Sequence, residues 1–380
     1  LVSPVMGTTT DPVYKSMELL PIGPVVFIDT AGLDDKGTLG ELRRKKSNEV
    51  LGKTDLAIVV FDSLLEFSQM ECEVVELIKD KGIPVMGVVN KIDLKAMDKN
   101  TLSFYEEKLG IKLCAVSTVT GKGVKELKNA IAKAVPNEEN KFAIVGDLIS
   151  PGDFVVLVVP IDKAAPKGRL ILPQQQVIRD ILESDAIAVV TKEYELKETL
   201  ENLGKKPRMV ITDSQAFLKV AADTPKDISL TSFSILFARY KGDLAELVKG
   251  AISIDKLEDG DRVLIAEACT HHRQADDIGR VKIPRWIRQR TGKRIEFEFS
   301  SGVSFPENLH EYKLVVHCGG CMLNKKAMGF RIEQAVEAGV PIVNFGVLIA
   351  YVQGVLERFI SPFPFVRMLW EEEINDCGRE

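Results

Sequence analysis

Two short clusters, Cys269-Thr270-His271-His272 and His317-Cys318-Gly319-Gly320-Cys321, hold three of the six cysteines and three of the four histidines in the chain. Such crowding is the mark of a metal site, because thiolate and imidazole are the ligands that iron-sulfur clusters and zinc select. A Cys-x-x-Cys turn brings two thiolates to one metal centre. The glycines between Cys318 and Cys321 suit a turn whose bare N–H groups point at cluster sulfides and tune their potential. The remaining histidine, His310, precedes the second cluster by seven residues.

The elements that must position these groups are legible nearby. An apolar strand over 262–268 runs into Cys269, and a second over 312–316 runs into His317-Cys318. Both clusters are therefore expected at the carboxyl ends of strands, where sites gather in open α/β sheets. Two further strand ends, Ser300-Ser301-Gly302 and Asn344-Phe345-Gly346, are expected to line the same crevice.

A second constellation lies in the first third of the chain. The apolar run Val25 to Ile28 reads as a buried strand ending at Asp29-Thr30-Ala31-Gly32, a D-x-x-G pattern. There the Asp29 carboxylate can hold the water shell of a magnesium ion, and Gly32 frees a backbone N–H to swing toward a terminal phosphate. A strand over 84–89 leads into Asn90-Lys91-Ile92-Asp93. The acceptor-only carboxylate of Asp93 matches the adjacent donors on the guanine edge, Asn90 adds an amide, and the Lys91 stem can cover the base. A strand over 111–116 delivers Ser117 and the turn Gly121-Lys122-Gly123. Upstream, Gly7-Thr8-Thr9-Thr10-Asp11 resembles the switch I segment of the Era and TrmE branch of GTPases, which makes Thr9 the hydroxyl on magnesium.

No G-x-x-x-x-G-K-[ST] loop occurs in the 380 residues, although that loop cradles the phosphates in such enzymes. The simplest expectation is a chain that begins inside the domain; a decayed nucleotide site is the alternative. Leu33 follows Gly32 where Ras-like enzymes carry a glutamine that positions water. The TrmE-like resemblance therefore implies slow intrinsic GTP hydrolysis stimulated by potassium.

At 380 residues, 45% hydrophobic and 28% charged, the chain is expected to form two or three globular domains. No apolar run is long enough to cross a bilayer and no leader peptide is visible, so a cytoplasmic protein with no membrane partner is expected. A net charge of −5 makes nucleic acid an unlikely partner by charge alone. Residues 136–141 read as a linker. Beyond it, strands at about 154–161, 186–191 and 207–212 alternate with helices at about 173–183, 193–203 and 214–222, and this segment contains neither cysteine nor histidine. The aromatic run Ile228 to Tyr240 is expected to be an internal strand or an edge that pairs with a second copy. The expected fold class is α/β with three domains: a P-loop-type GTPase domain lacking its phosphate loop (1–140), a middle α/β dimerisation domain (141–240) and an α/β cluster-binding domain (241–380).

A GTPase followed by an α/β module, then C-x-H and H-C-x-x-C, resembles the [FeFe]-hydrogenase maturation GTPases along essentially the whole chain. The resemblance implies a homodimeric scaffold using GTP and Mg2+, in which Cys269, Cys318 and Cys321 bind a [4Fe-4S] cluster. The fourth, labile ligand is sought among His271, His317, His272 and Glu267. It further implies that the protein receives a diiron precursor from radical-SAM maturases and passes it to apo-[FeFe]-hydrogenase. The alternative is an RNA-binding or RNA-modification GTPase with a structural zinc or iron-sulfur site. The basic run Lys282, Arg285, Arg288, Arg290, Lys293 and Arg294 around Trp286 would then contact RNA; a solvated helix face or an anion-docking patch are the other readings. Cys72 and Cys114 are expected in the core and Cys377 to be incidental.

Overall fold

The computed structural model describes residues 12–19, 23–30, 50–52, 54–135, 143–161, 170–268, 277–302, 305–306, 308–321 and 323–377. The chain divides into two compact units, 1–140 and 141–380. The linker expected at 136–141 lies outside the described residues.

In the first unit, strands β1 (Val13–Leu19) and β2 (Gly23–Asp29) form an antiparallel pair, and β3 (Ala57–Asp62), β4 (Val85–Asn90) and β5 (Leu113–Ala115) form a parallel sheet in that order. Strand β1 carries no sequence signal strong enough to announce it, and β2 is not the buried strand its apolar run suggests: Val26 is 56% and Phe27 37% exposed. The reason is its partner. β2 pairs along its whole length with β1, and only one face of this ribbon packs inward, where Leu19 joins Met86 and Ile131 in a buried cluster lined by Val25 and Ile58. Strand β4 lies between its neighbours and buries Met86, Val88 and Val89. The two cysteines here line the interior as expected, Cys72 beside the Phe61–Val89 cluster and Cys114 beside the Met86–Ile131 cluster.

The second unit contains two four-stranded, all-parallel sheets around one continuous core. The first is built from β6 (Phe154–Val158), β7 (Ile187–Thr191), β8 (Met209–Thr212) and β9 (Ser229–Ser232), in the order β7-β6-β8-β9. The second is built from β10 (Arg262–Glu267), β11 (Glu296–Ser301), β12 (Leu314–His317) and β13 (Ile342–Asn344), in the order β11-β10-β12-β13. Continuous apolar runs mark the central strands, since helices cover both faces of a parallel sheet. Val155 to Val158 and Val263 to Ile265 are accordingly inaccessible, each such side chain contributing about 1.5–3 kcal/mol of burial.

The run from Ile228 to Tyr240 is a correction. Only residues 229–232 are strand; the Ser232 hydroxyl then accepts from the Ile235 N–H and starts a helix, Phe233–Lys241. This helix buries Phe233, Ile235, Leu236, Phe237 and Ala238 in the core shared by the two sheets. Its aromatic composition reflects burial on nearly every side, which erases the period that separates helix from strand. No helix among the described residues is long and apolar enough to cross a membrane.

The helix Leu244–Ile252 lies hard against β13. A Cβ added at Gly250 would stand 1.9 Å from the Ile342 carbonyl oxygen and 2.4 Å from its carbon, both backbone atoms that cannot rotate away. Gly250→Ala should therefore destabilise the second unit by about 3 kcal/mol, although alanine favours an isolated helix by about 1 kcal/mol. Urea unfolding followed by circular dichroism checks this; an unchanged or raised midpoint would show that the helix can lift off the strand.

Candidate functional site

The sheet order β11-β10-β12-β13 places the reversal of strand order between β10 and β12. The chain leaves β10 toward one edge and returns to β12 on the other side, so a crevice opens at the carboxyl ends of these two strands. The two cysteine clusters follow those ends. Cys269, His271 and His272 lie outside the described residues, but their neighbour Ala268 does not. Its N–H donates to Cys318 Sγ at 3.2 Å, while the Cys318 N–H donates to the Ala266 carbonyl at 2.8 Å. The residue preceding Cys269 is thus tied directly to the Cys318 sulfur.

The Cys318–Cys321 turn is shaped from beneath. Gly320 adopts a left-handed backbone, φ +58°. Gly319 leaves the approach to Cys321 Sγ open, for even a Cβ placed there would come no nearer to it than 3.9 Å. Lys241, 8% exposed, donates from Nζ to three carbonyls of the turn: Gly320 at 3.2 Å, Cys321 at 3.0 Å and Leu323 at 2.8 Å. Burial pulls its ammonium below the ordinary lysine value, and the Cys321 sulfur opposes that shift. The Cys321 side chain is exposed, yet burial of the sulfur on its protein side raises the thiol above its usual value, Lys241 acting against this and Asp213 adding to it.

Arg331 is the other cation, 2% exposed. One of its amines donates to His317 Nε2 at 2.7 Å and the other to the Gly302 carbonyl at 3.2 Å, with the guanidinium 5.0 Å from the Phe305 ring centre. Because a guanidinium only donates, Nε2 must accept, and the proton on Nδ1 then goes to the Cys318 carbonyl at 2.6 Å. Burial, followed by the Arg331 charge, pushes His317 down to about 4. Both of its nitrogens are engaged inside the protein, so of the four candidates for the labile ligand His317 is the one whose ring is already occupied. It holds the turn.

Glu267 is 5% exposed at the end of β10, with a carboxylate oxygen 3.9 Å from Arg280. Of the other strand ends, Gly302 donates to the Glu267 carbonyl at 2.9 Å and borders the site. Asn344 caps the helix Phe345–Val352 by accepting from Val347 and has a structural task. His310 sits exposed before β12, beside Glu311, which pairs with Arg262 at the start of β10; it lies at the opposite end of the strands from Cys318. Among the described residues no group of three or more His, Cys, Asp and Glu is assembled for a metal. Several residues of the basic run are engaged internally: Arg290 forks onto Asp255 at 2.6 and 2.7 Å, and Arg288 donates to the Ile295 carbonyl and lies over Phe297.

In the first unit, β4 delivers Asn90 to the turn after β5. Asn90 Oδ1 accepts from the Thr118 N–H at 3.2 Å and its amide reaches Thr118 Oγ1 at 3.4 Å, so the Asn90–Asp93 segment is joined to the turn that begins at Ser117. Lys91 holds a left-handed backbone, φ 65°, rare for a residue with a side chain and a mark of a constrained site. Its Nζ meets Asp62 at 2.6 Å, and this bond with the Leu64 N–H holds the Asp62 carboxyl below its usual range. Asp62, which closes the apolar strand β3, escaped the sequence reading. Asp93 stands exposed in the following turn. Ser117 is fully buried; its oxygen accepts from the Thr120 N–H and its own N–H donates to the Lys122 carbonyl, so it builds the turn from within. At Gly123, φ +77°, a Cβ would lie 2.1 Å from the Ala115 carbonyl oxygen, which fixes where the turn must bend. Asp29 stands exposed at the end of β2; Thr9 and Gly32 lie outside the described residues.

Residues 1–91 match the family model described as 50S ribosome-binding GTPase, residues 144–242 the hydrogen maturase F dimerization domain, and residues 245–362 the hydrogen maturase F tetramerization domain. The chain is 31% identical over 145 residues to a tRNA modification GTPase MnmE of Endomicrobium trichonymphae, covering 37% of this chain and 31% of that protein. It is 36% identical over 137 residues to the MnmE of a Thermoanaerobacter strain, covering 36% of this chain and 29% of that one. Against a GTPase Der of Wolinella succinogenes the identity is 30% over 145 residues, covering 36% of this chain and 31% of that protein. The chain thus spans about a third of the length of these curated relatives. With a GTPase domain followed by two adjoining oligomerization domains of one maturase, this chain belongs to the hydrogen maturase F family.

Proposed function

We propose that this chain is a GTP-hydrolysing scaffold that holds a [4Fe-4S] cluster on Cys269, Cys318 and Cys321 and carries a diiron precursor to apo-[FeFe]-hydrogenase. The observation that carries the reading is the contact between Ala268 and the Cys318 sulfur at the reversal point of the β11-β10-β12-β13 sheet. It sets the last residue before Cys269 within hydrogen-bonding distance of the second thiol.

The donor set fits such a cluster. Thiolates are its protein ligands, the glycine turn leaves room at Cys321, and two buried cations, Lys241 and Arg331, oppose the negative charge that three thiolates bring. When bound, a cluster held by three thiolates supplies one iron with an exchangeable position, where a precursor delivered by radical-SAM maturases can be bridged. With both nitrogens of His317 occupied, that labile position falls to His271 or His272 beyond Ala268, or to Glu267. At the nucleotide site Asp93 accepts from the guanine edge, Asn90 braces the turn that closes over the base, and Lys91 covers it. Thr9 and Asp29 hold Mg2+, Gly32 senses the terminal phosphate, and potassium takes part of the role of the missing glutamine. The oligomer is the form in which the scaffold acts.

Two results test this reading. Cys318→Ala, reconstituted anaerobically with iron and sulfide, should lose the reduced-cluster signal in electron paramagnetic resonance at least about fivefold, while Cys72→Ala keeps it; equal signals would remove Cys318 from the ligand set. In the full-length protein, Asp93→Asn should shift preference from GTP toward xanthosine triphosphate by about two orders of magnitude. Unchanged discrimination in a binding titration would take Asp93 out of the guanine site.

A further inference from the structure

The residue range matched by the dimerization domain ends at position 242, and its final helix ends at Lys241. That lysine lies over Phe237 of its own helix, with Nζ 5.3 Å from the ring centre, but its hydrogen bonds leave the domain. Its three hydrogen bonds all go to carbonyls of the Cys318–Leu323 segment, 79 to 82 residues away in sequence. A lysine can lose its water shell only where fixed oxygens replace it, and here three backbone carbonyls do so at 2.8–3.2 Å. The arrangement is specific to a long, flexible cation with three donors. The chain just after it packs against the helix that carries Arg331: a Cβ at Gly242 would lie 2.7 Å from Ile332 Cδ1.

We propose that Lys241 is a positioning residue for the cluster site: it anchors the Cys318–Cys321 turn to the dimerization segment and, together with Arg331 acting through His317, places the buried positive charge that sets the potential of the cluster. The proposal rests on the cluster reading above for its electrostatic half and on geometry alone for its anchoring half. A cation near the site favours the more negative, reduced state, because one-electron reduction adds a negative charge to the cluster that Lys241 and Arg331 face. The anchor also gives a route by which rearrangement in the dimerization segment would reach the thiolates, since the final turn of its last helix grips three peptide groups beside them.

The test uses the full chain with Lys241→Met, Lys241→Arg and wild type side by side. In metal-free protein, amide hydrogen exchange at Leu323, whose N–H donates to the Gly320 carbonyl at 3.0 Å, should accelerate at least about tenfold in Lys241→Met, while the helix 345–352 keeps its protection. After anaerobic reconstitution, dithionite-poised titration followed by electron paramagnetic resonance should show a tenfold smaller reduction constant, about 59 mV more negative for one electron. Lys241→Arg, which keeps the charge, should restore most of that potential. Wild-type exchange at the turn together with an unshifted potential would overturn the proposal. If wild type itself takes up no cluster, the functional reading fails while the exchange measurement still decides the anchor. If Lys241→Met loses protection throughout both sheets, Lys241→Gln, which retains up to two donors, should show the local acceleration alone; failing to do so would also overturn it.

Discussion

Everything at the cysteine site depends on the parallel pairing of β10 with β12. Ala266 faces His317 in register, and beyond that pair the two strands give way to the site, one through Ala268 toward Cys269, the other directly into Cys318. The pairing is secured by inaccessible aliphatic side chains on both strands, Val263 to Ile265 and Leu314 to Val316. A slip of one residue would turn His317 away from Arg331 and the cysteine turn away from Lys241. The geometry of the cysteine turn is therefore specified by a hydrophobic register that ends two residues before Cys318.

Charge is the second organising element. Two basic side chains are almost wholly enclosed, and each is satisfied by groups that border Cys318 or Cys321. Burying cations is costly unless neighbouring groups are fixed to receive them. Here the receivers of Lys241 are backbone carbonyls, and those of Arg331 include the Gly302 carbonyl and a neutral imidazole. The nucleotide unit uses the opposite device. Lys91 and Asp62 neutralise one another in a half-exposed pair, while Asp93 remains in solvent.

Much of this was legible in the residues because strands and their carboxyl-end motifs are local signals. The runs before Asn90, Ser117 and Cys318 are short, apolar and followed by turn formers, and the alternating α/β pattern from 154 onward follows from the same cues. What escaped the sequence depended on packing. The helix Phe233–Lys241 carries apolar residues on almost every side, so its period disappears and its aromatics mimic a strand. Ribbon β1–β2 is half solvated although Val25 to Ile28 look uniformly buried. Arg331 did leave a signal: it shares its helix face with Ala327, Met328, Ile332 and Ala335, all buried, and a charge at a core position announces a partner. Lys241 left none, because a lysine at a helix end is the commonest of arrangements and its partners lie about eighty residues later. His317 is the opposite case: it is adjacent to Cys318 in sequence, but its ring is turned inward onto Arg331.

The central claim is that three thiolates gather at the β10–β12 reversal and leave one iron open. Mössbauer spectroscopy of the full chain reconstituted with 57Fe measures that directly, since it counts inequivalent irons without relying on a mutant. The account predicts a cluster whose irons divide three to one, the single site changing its isomer shift when an exogenous ligand such as cyanide or imidazole is added. Four equivalent irons insensitive to added ligand, or a chain that takes up zinc and no iron, would contradict it.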